Sequence, residues 1–281
     1  MKKILFVILL TGYCILVIPF STHLKNRPIA VKLGYLPEAE VIKLAVCDHR
    51  PLVAQFAVVK VLFYFGSLVE KFQQKIVFPP EYFNMFKILQ TSVKLDPYNM
   101  DAYYFTQSAF TWEVGRIKEV NDMLEYGMKY RTWDYALPFY AGFNAAYFLK
   151  DFQQAAVFMR QAAELSGIPM LGTLAARYFY ESGRNDLGIF FLDNMRKGAR
   201  DDSVRKLYDM RIQALRAVQE INSGIERYQE LTKKRPTRLS ELVDKGCLVR
   251  IPFDPYGGIF YLDDHGIVRT TSKFAFGSAN K

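Results

Sequence analysis

The feature that most constrains this chain is an internal repeat between residues 101 and 201. The stretch 134–169, DYALPFYAGFNAAYFLKDFQQAAVFMRQAAELSGIP, carries two apolar patterns of helical period around a break at Lys150-Asp151. Small residues fall at Ala155, Ala156, Ala162 and Ala163, aromatics at Tyr140, Phe143, Tyr147, Phe152 and Phe158, and Pro169 closes the unit. The stretch before it turns at Gly115-Arg116 and the stretch after it at Gly183-Arg184. The landmark behind each turn, at Ile117, Phe152 and Asn185, recurs about every 34 residues. A helix pair of this kind is apolar on more sides than it can bury alone, so neighbouring pairs must stack and share a core. The copies are imperfect: where the middle unit has small residues in its second helix, the first offers Val120 and Gly127 and the third Gly188 and Met195.

This spacing and shape resemble the tetratricopeptide repeat family over about 78–200. A divergent first copy precedes the three: an apolar helix over 52–72, then a second over 80–97, closed by Leu95-Asp96-Pro97-Tyr98-Asn99, which resembles the family's inter-repeat turn. The helix over 52–72 is apolar enough to suggest a membrane span. Gln55, Lys60, Glu70 and Lys71 argue against it, because a lysine in mid-span is costly. It is expected instead as the first buried helix of the stack, preceded by a short helix over 38–47 and a break at 48–51.

At the start of the chain, Lys2 and Lys3 precede an apolar run from Ile4 to Phe20. The run is longer than a typical signal-peptide core and a little shorter than a full span. No small-x-small cleavage site follows, and the bulky Tyr13 beside Cys14 makes a poor lipoprotein signal. A retained anchor over 1–22 is the expectation, with a polar linker over 23–37. Lys25, Arg27 and Lys32 place positive charge beyond the run as well, so charge alone leaves its orientation open. Resemblance to bacterial export signals places the anchor in the inner membrane and the body in the periplasm. Formal net charge is +9, but the cations are interspersed with acids and no basic run exceeds three, a solvated surface with a mild preference for anionic lipid and not a nucleic-acid footprint.

After residue 201 the pattern changes. About thirty residues of helical period begin at Asp202 or Ser203 as N-cap and stop before Pro236, with Gly224 as a candidate kink. A short helix over 239–245 ends at Gly246, a turn cluster follows at 252–258, and two β-rich runs, 259–262 and 267–271, flank Asp263-Asp264-His265-Gly266 as a hairpin. Pro236, Leu239, Leu242, Gly246, Leu248, Pro252, Asp254, Pro255, Tyr256 and Gly257 resemble the globular end of type II pseudopilins and type IV pilin-like proteins, with Tyr256 where those carry Trp. The prepilin leader of that family is absent, so the chain is not expected to be a pilin subunit. Some pseudopilins bind calcium near this end; Asp263 and Asp264 read first as turn formers. The expected fold is thus mainly α: a tetratricopeptide-like solenoid over 38–201 behind an N-terminal anchor, and a small α+β module over 202–281.

No catalytic constellation is visible. His23, His49 and His265 are scattered, and no phosphate loop, nucleophile elbow or zincin motif occurs. Cys14, Cys47 and Cys247 form no CxxC; Cys47 and Cys247 could pair in an oxidising compartment, although two buried free thiols is the simpler reading. The expectation is a protein that is not an enzyme, needs no cofactor and takes no small-molecule substrate or nucleic acid. The repeat resemblance implies a concave face that binds a protein partner. Inward-facing first-helix positions are Tyr104, Gln107, Phe139, Phe143, Tyr147, Arg177 and Tyr180; the aromatics serve core packing equally well, which favours Gln107 and Arg177. Three roles follow: a scaffold or assembly factor for an envelope machine such as a pilus or secretion system, a lipid-facing structural component, or a non-catalytic subunit of an enzyme acting on envelope polymers.

Overall fold

A computed structural model describes residues 2–25, 33–34, 36–73 and 80–274. Most of the expected linker, the charges at Arg27 and Lys32, the residue at 78 and the tail 275–281 lie outside the described residues, as does the side chain of Cys14.

The protein is mainly α, with helices that pack in sequence and a small C-terminal β-hairpin. Helix α1 spans Lys2–Lys25, α2 Ala39–Val46, α3 Arg50–Gln73, α4 Tyr82–Leu95, α5 Met100–Trp112 and α6 Ile117–Met128. Helix α7 spans Ala136–Asn144 and runs on into a π-helical turn, Ala145–Leu149. Then come α8 at Phe152–Ser166, α9 at Pro169–Glu181, α10 at Asn185–Gly198, α11 at Asp202–Thr232 and α12 at Ser240–Asp244. Strands β1, Phe260–Leu262, and β2, Val268–Thr270, pair antiparallel with Tyr261 opposite Arg269.

Local chemistry explains the boundaries. Asn99 and Asp151 cap α5 and α8 by accepting the N–H groups of Ala102 at 3.3 Å and Gln154 at 3.0 Å. Asp201, one residue before the expected cap, accepts from Ser203 and Val204 to start α11. The three repeat turns share one backbone device. Gly115, Lys150 and Gly183 all adopt left-handed φ, at 70°, 56° and 75°. The next N–H then reaches back to close the preceding helix: Arg116 to Phe110 O at 3.1 Å, Asp151 to Ala145 O at 2.9 Å, Arg184 to Phe179 O at 2.8 Å.

The core is continuous with the chain order. One cluster joins Val58, Val61, Phe86, Leu89, Tyr103, Phe110, Leu124 and Leu137 from α3 to α7. A second joins the alanines of α8 and α9 to Tyr208, Leu215 and Ile221 on α11, and takes in Leu242, Leu248, Tyr256, Phe260, Val268 and Phe274. The C-terminal module therefore shares its core with the last helices of the stack.

Two expectations need correction. Cys47 is exposed, at the break between α2 and α3 with φ of 46°, whereas Cys247 is buried; both are free thiols. Helix α3 buries only one face, with Ala54, Ala57, Val58, Val61 and Tyr64 against its neighbours. Its other face leaves Leu52, Phe56 and Phe63 in the open, Phe63 at 76% exposure. By length and composition the stretch Ala39–Leu68 is long and apolar enough to cross a membrane, although the turn at Cys47–His49 interrupts it.

Candidate partner-binding face

The exposed and half-buried positions of α5 and α7 follow helical spacing. On α5, Tyr104, Ser108 and Trp112 lie on one stripe; on α7 and its π-turn, Tyr140, Phe143 and Tyr147 do the same. The two stripes meet. Tyr104 lies 6.3 Å from Tyr140 in an edge contact, and Trp112 lies 6.3 Å from Phe143, 5.9 Å from Tyr147 and 5.0 Å from Phe148. Phe143 and Tyr147 stack at 5.4 Å, and the ammonium of Lys150 sits 5.3 Å from the Tyr147 ring centre. Trp112 and Tyr147 nonetheless keep 58% and 54% of their surface exposed. A group of rings that pack on each other and still face solvent is a pre-formed anchor for an apolar partner surface.

Beneath this face lies a closed polar network. Gln107, only 5% exposed, exchanges two amide hydrogen bonds with Asn144, whose Nδ2 also donates to Asn121 Oδ1 at 2.8 Å. Asn121 donates to the Ala141 carbonyl at 3.3 Å. Gln107 is thus occupied inside the protein, where it ties α5 to α7. Phe139 is half-buried and packs toward the C-terminal core, 5.6 Å from Tyr140.

Arg177 and Tyr180, one unit further along on α9, meet the hairpin. Tyr180 is buried; its hydroxyl donates to the Val268 carbonyl at 2.7 Å and its ring meets Phe274 edge-on at 4.7 Å. Burial pushes its phenol up to about 12, against the opposing pull of Arg269. Arg269 on β2 reaches Glu181 on α9 at 2.6 Å and Asp263 at 3.2 Å. Asp263 also accepts the N–H groups of His265 and Ile267, so it builds the hairpin turn. Arg177 is exposed at the mouth of a cleft of about 300 Å³ formed by α9 and the hairpin.

The structure therefore brings Tyr104, Phe143 and Tyr147 together on one face, places Arg177 and Tyr180 at the junction with the hairpin, and withdraws Gln107 into the interior. Sequence reasoning missed Trp112, which falls two helical turns after Tyr104 and was legible by that spacing. It also missed Arg269, which reaches α9 from a distant part of the chain, and Lys273, which lines the same cleft; neither carries a local signal. Among the described residues no group of three or more His, Cys, Asp or Glu side chains gathers to hold a metal. No family model, no curated protein and no solved structure matches the chain.

Proposed function

We propose that this chain is a membrane-tethered scaffold whose stacked helix pairs form a tetratricopeptide-like solenoid and whose exposed aromatic face binds a protein partner. The observation that carries the reading is the Trp112–Phe143–Tyr147–Phe148 cluster, contributed by two successive units, with Trp112 and Tyr147 open to solvent over half-buried Phe143 and Phe148. Aromatic anchors that are held rigid before binding lose little conformational freedom on association, and a few such side chains dominate protein interfaces. The tether is α1, the body lies in the periplasm, and the role is non-catalytic: assembly of an envelope machine related to pili or secretion. The sequence resemblance of the tail to pilin-like modules supports that context; its Leu239, Leu242, Leu248 and Tyr256 pack into the shared core.

The test is in-cell photo-crosslinking from a benzophenone side chain placed at Tyr104, read by mass spectrometry. One dominant envelope protein, lost when Trp112 is changed to Ala, is expected. A spread of unrelated adducts that ignores Trp112 would remove the reading.

A second reading has its own observation. The open apolar face of α3, together with Val41 and Leu44 on α2, suits a lipid surface. Flotation with anionic liposomes, lost in a Phe56→Ser/Phe63→Ser variant, would favour a lipid-facing structural role.

A further inference from the structure

The cleft between α9 and the hairpin is lined by three cations, Arg177, Arg269 and Lys273, and one acid, Glu181. Arg177 and Lys273 are exposed at its mouth and make no ion pair among the described residues. Arg269 forms its wall, already held by Glu181 and Asp263. Tyr261 and Thr270 belong to the same lining. Arg211 lies outside the lining, against the Phe274 ring that packs on Tyr180, 6% exposed and in no ion pair among the described residues. Its guanidinium lies 4.8 Å from the Tyr256 ring centre and 5.1 Å from that of Phe274. Nη2 donates to the Phe274 carbonyl at 2.7 Å, while Nε and Nη1 are buried without a partner among the described residues.

The neighbouring carboxylate of Asp254 attracts this charge without forming an ion pair with it. Asp254 is buried and accepts from the Ser272 hydroxyl at 2.7 Å, from the Thr270 hydroxyl, and from the Tyr256 N–H at 2.9 Å. A buried cation with unmet donors raises the potential of the surface over it, and an anion arriving there gains from both. Arg211 also positions the rim. It holds the carbonyl of Phe274, and Lys273 and Phe274 take left-handed φ of 50° and 52°, a conformation that L-residues keep only when the surroundings enforce it. Lys273 and Arg177 both line the cleft.

We infer that this cleft is an anion site that takes a carboxylate of an acidic peptide segment. The volume suits one carboxylate side chain and its neighbours, and the planar fork of Arg177 matches a carboxylate in two parallel hydrogen bonds. The inference rests on the scaffold reading for its partner class: the aromatic face would hold the apolar part of the segment and the cleft its charge.

The experiment uses the full chain in detergent and a rhodamine-labelled octapeptide of alternating Glu and Leu, with its Gln counterpart as control, followed by fluorescence anisotropy. The Glu peptide is expected to bind and the Gln peptide to fail. Arg177→Gln and Lys273→Gln should each weaken the Glu peptide about tenfold, with the loss shrinking at high salt, and Lys206→Gln on the far side of α11 should change nothing. Both variants alter exposed side chains, and an unchanged unfolding curve checks their fold. Equal binding of the two peptides, or equal affinity of all variants, would overturn the inference. So would Arg177-dependent binding of phosphatidylglycerol vesicles by a chain that ignores the Glu peptide, which would assign the cleft to lipid headgroups. A Trp112-dependent crosslink without Glu-peptide affinity overturns the cleft and keeps the scaffold; peptide affinity without the crosslink does the reverse.

Discussion

Gln107 and Asn144 face each other from α5 and α7 as a reciprocal amide pair, with Nε2 to Oδ1 at 3.0 Å and Nδ2 to Oε1 at 2.8 Å. Each amide gives and takes, so the pair fixes both the distance and the register of the two helices that carry the aromatic face. Asn144 is also the last residue before the π-turn that presents Tyr147. Replacing Asn144 with Leu leaves Gln107 Nε2 and Asn121 Oδ1 buried without these partners, while Gln107 Oε1 keeps the Thr111 hydroxyl at 3.3 Å. A loss of roughly 3 kcal/mol is expected in equilibrium urea unfolding. The double variant Gln107→Leu/Asn144→Leu should lose about 1 kcal/mol less than the sum of the two single variants, because both halves of one pair leave together.

The succession of packed helices was legible because its boundaries are set locally: a left-handed turn residue and an apolar stripe are written in consecutive residues, with a side-chain cap added after one of the three turns, at Asp151. Gly115 and Gly183 announce their turns, and the hairpin around Asp263 was readable for the same reason. The candidate site was legible only in part. Spacing selected Tyr104, Tyr147 and Arg177, which are exposed, and Phe143, which is half-buried, but it also selected Gln107, which is buried, since helical period marks a face without saying which neighbour covers it. The Arg269–Glu181 bridge joins residues 88 apart and leaves no trace in either local sequence. The half-open state of α3 was hidden too, because an apolar helix reads alike whether one face is covered or both.

Lys150 stands where the other two copies of the turn have glycine, and its φ of 56° carries a cost that glycine would not. Lys150→Gly should stabilise the chain by about 0.5 kcal/mol, the relief of about 1 kcal/mol being offset in part by loss of the ammonium over Tyr147. Lys150→Ala keeps the strain and loses the contact, so it should destabilise. Thermal unfolding of the two variants decides the matter by sign: a fall for both would show that the left-handed backbone is not what the lysine resists.

Glu241 ties the end of α11 to α12. It accepts from the Thr237 hydroxyl at 2.6 Å, the Tyr228 hydroxyl at 2.6 Å, and the N–H groups of Thr237 and Arg238 at 3.0 Å each. Those bonds, led by the one from the Thr237 hydroxyl, pull its carboxyl from the ordinary 4.5 down to about 2. A carboxyl held lower in the folded chain than in the unfolded one contributes stability that is complete above 4.5 and disappears as the pH falls toward about 2. The urea midpoint should therefore drop across that window. Glu241→Gln should flatten the drop. A slope unchanged by the substitution would assign the acid sensitivity to other carboxylates.

Gly224 was expected as a kink, yet α11 runs without interruption from Asp202 to Thr232. Its reason is contact. A Cβ built there would lie 2.8 Å from Leu248 Cγ and 3.0 Å from its Cδ2, and Leu248 is itself buried in the shared core. The clash falls at the branch point of the leucine, so a rotation of the chain end does not relieve it. Gly224→Ala should cost about 1 kcal/mol net: overpacking of about 2 kcal/mol, reduced by the better helix propensity of alanine. Gly198 at the end of α10 has nothing within 4 Å of the same built atom, so Gly198→Ala should be neutral or slightly stabilising. In a Leu248→Ala background the Gly224→Ala substitution should change sign and stabilise, because the obstacle is gone and only the helix preference is left. If it still destabilises there, the glycine is required by the backbone of α11 and not by the tail that packs against it.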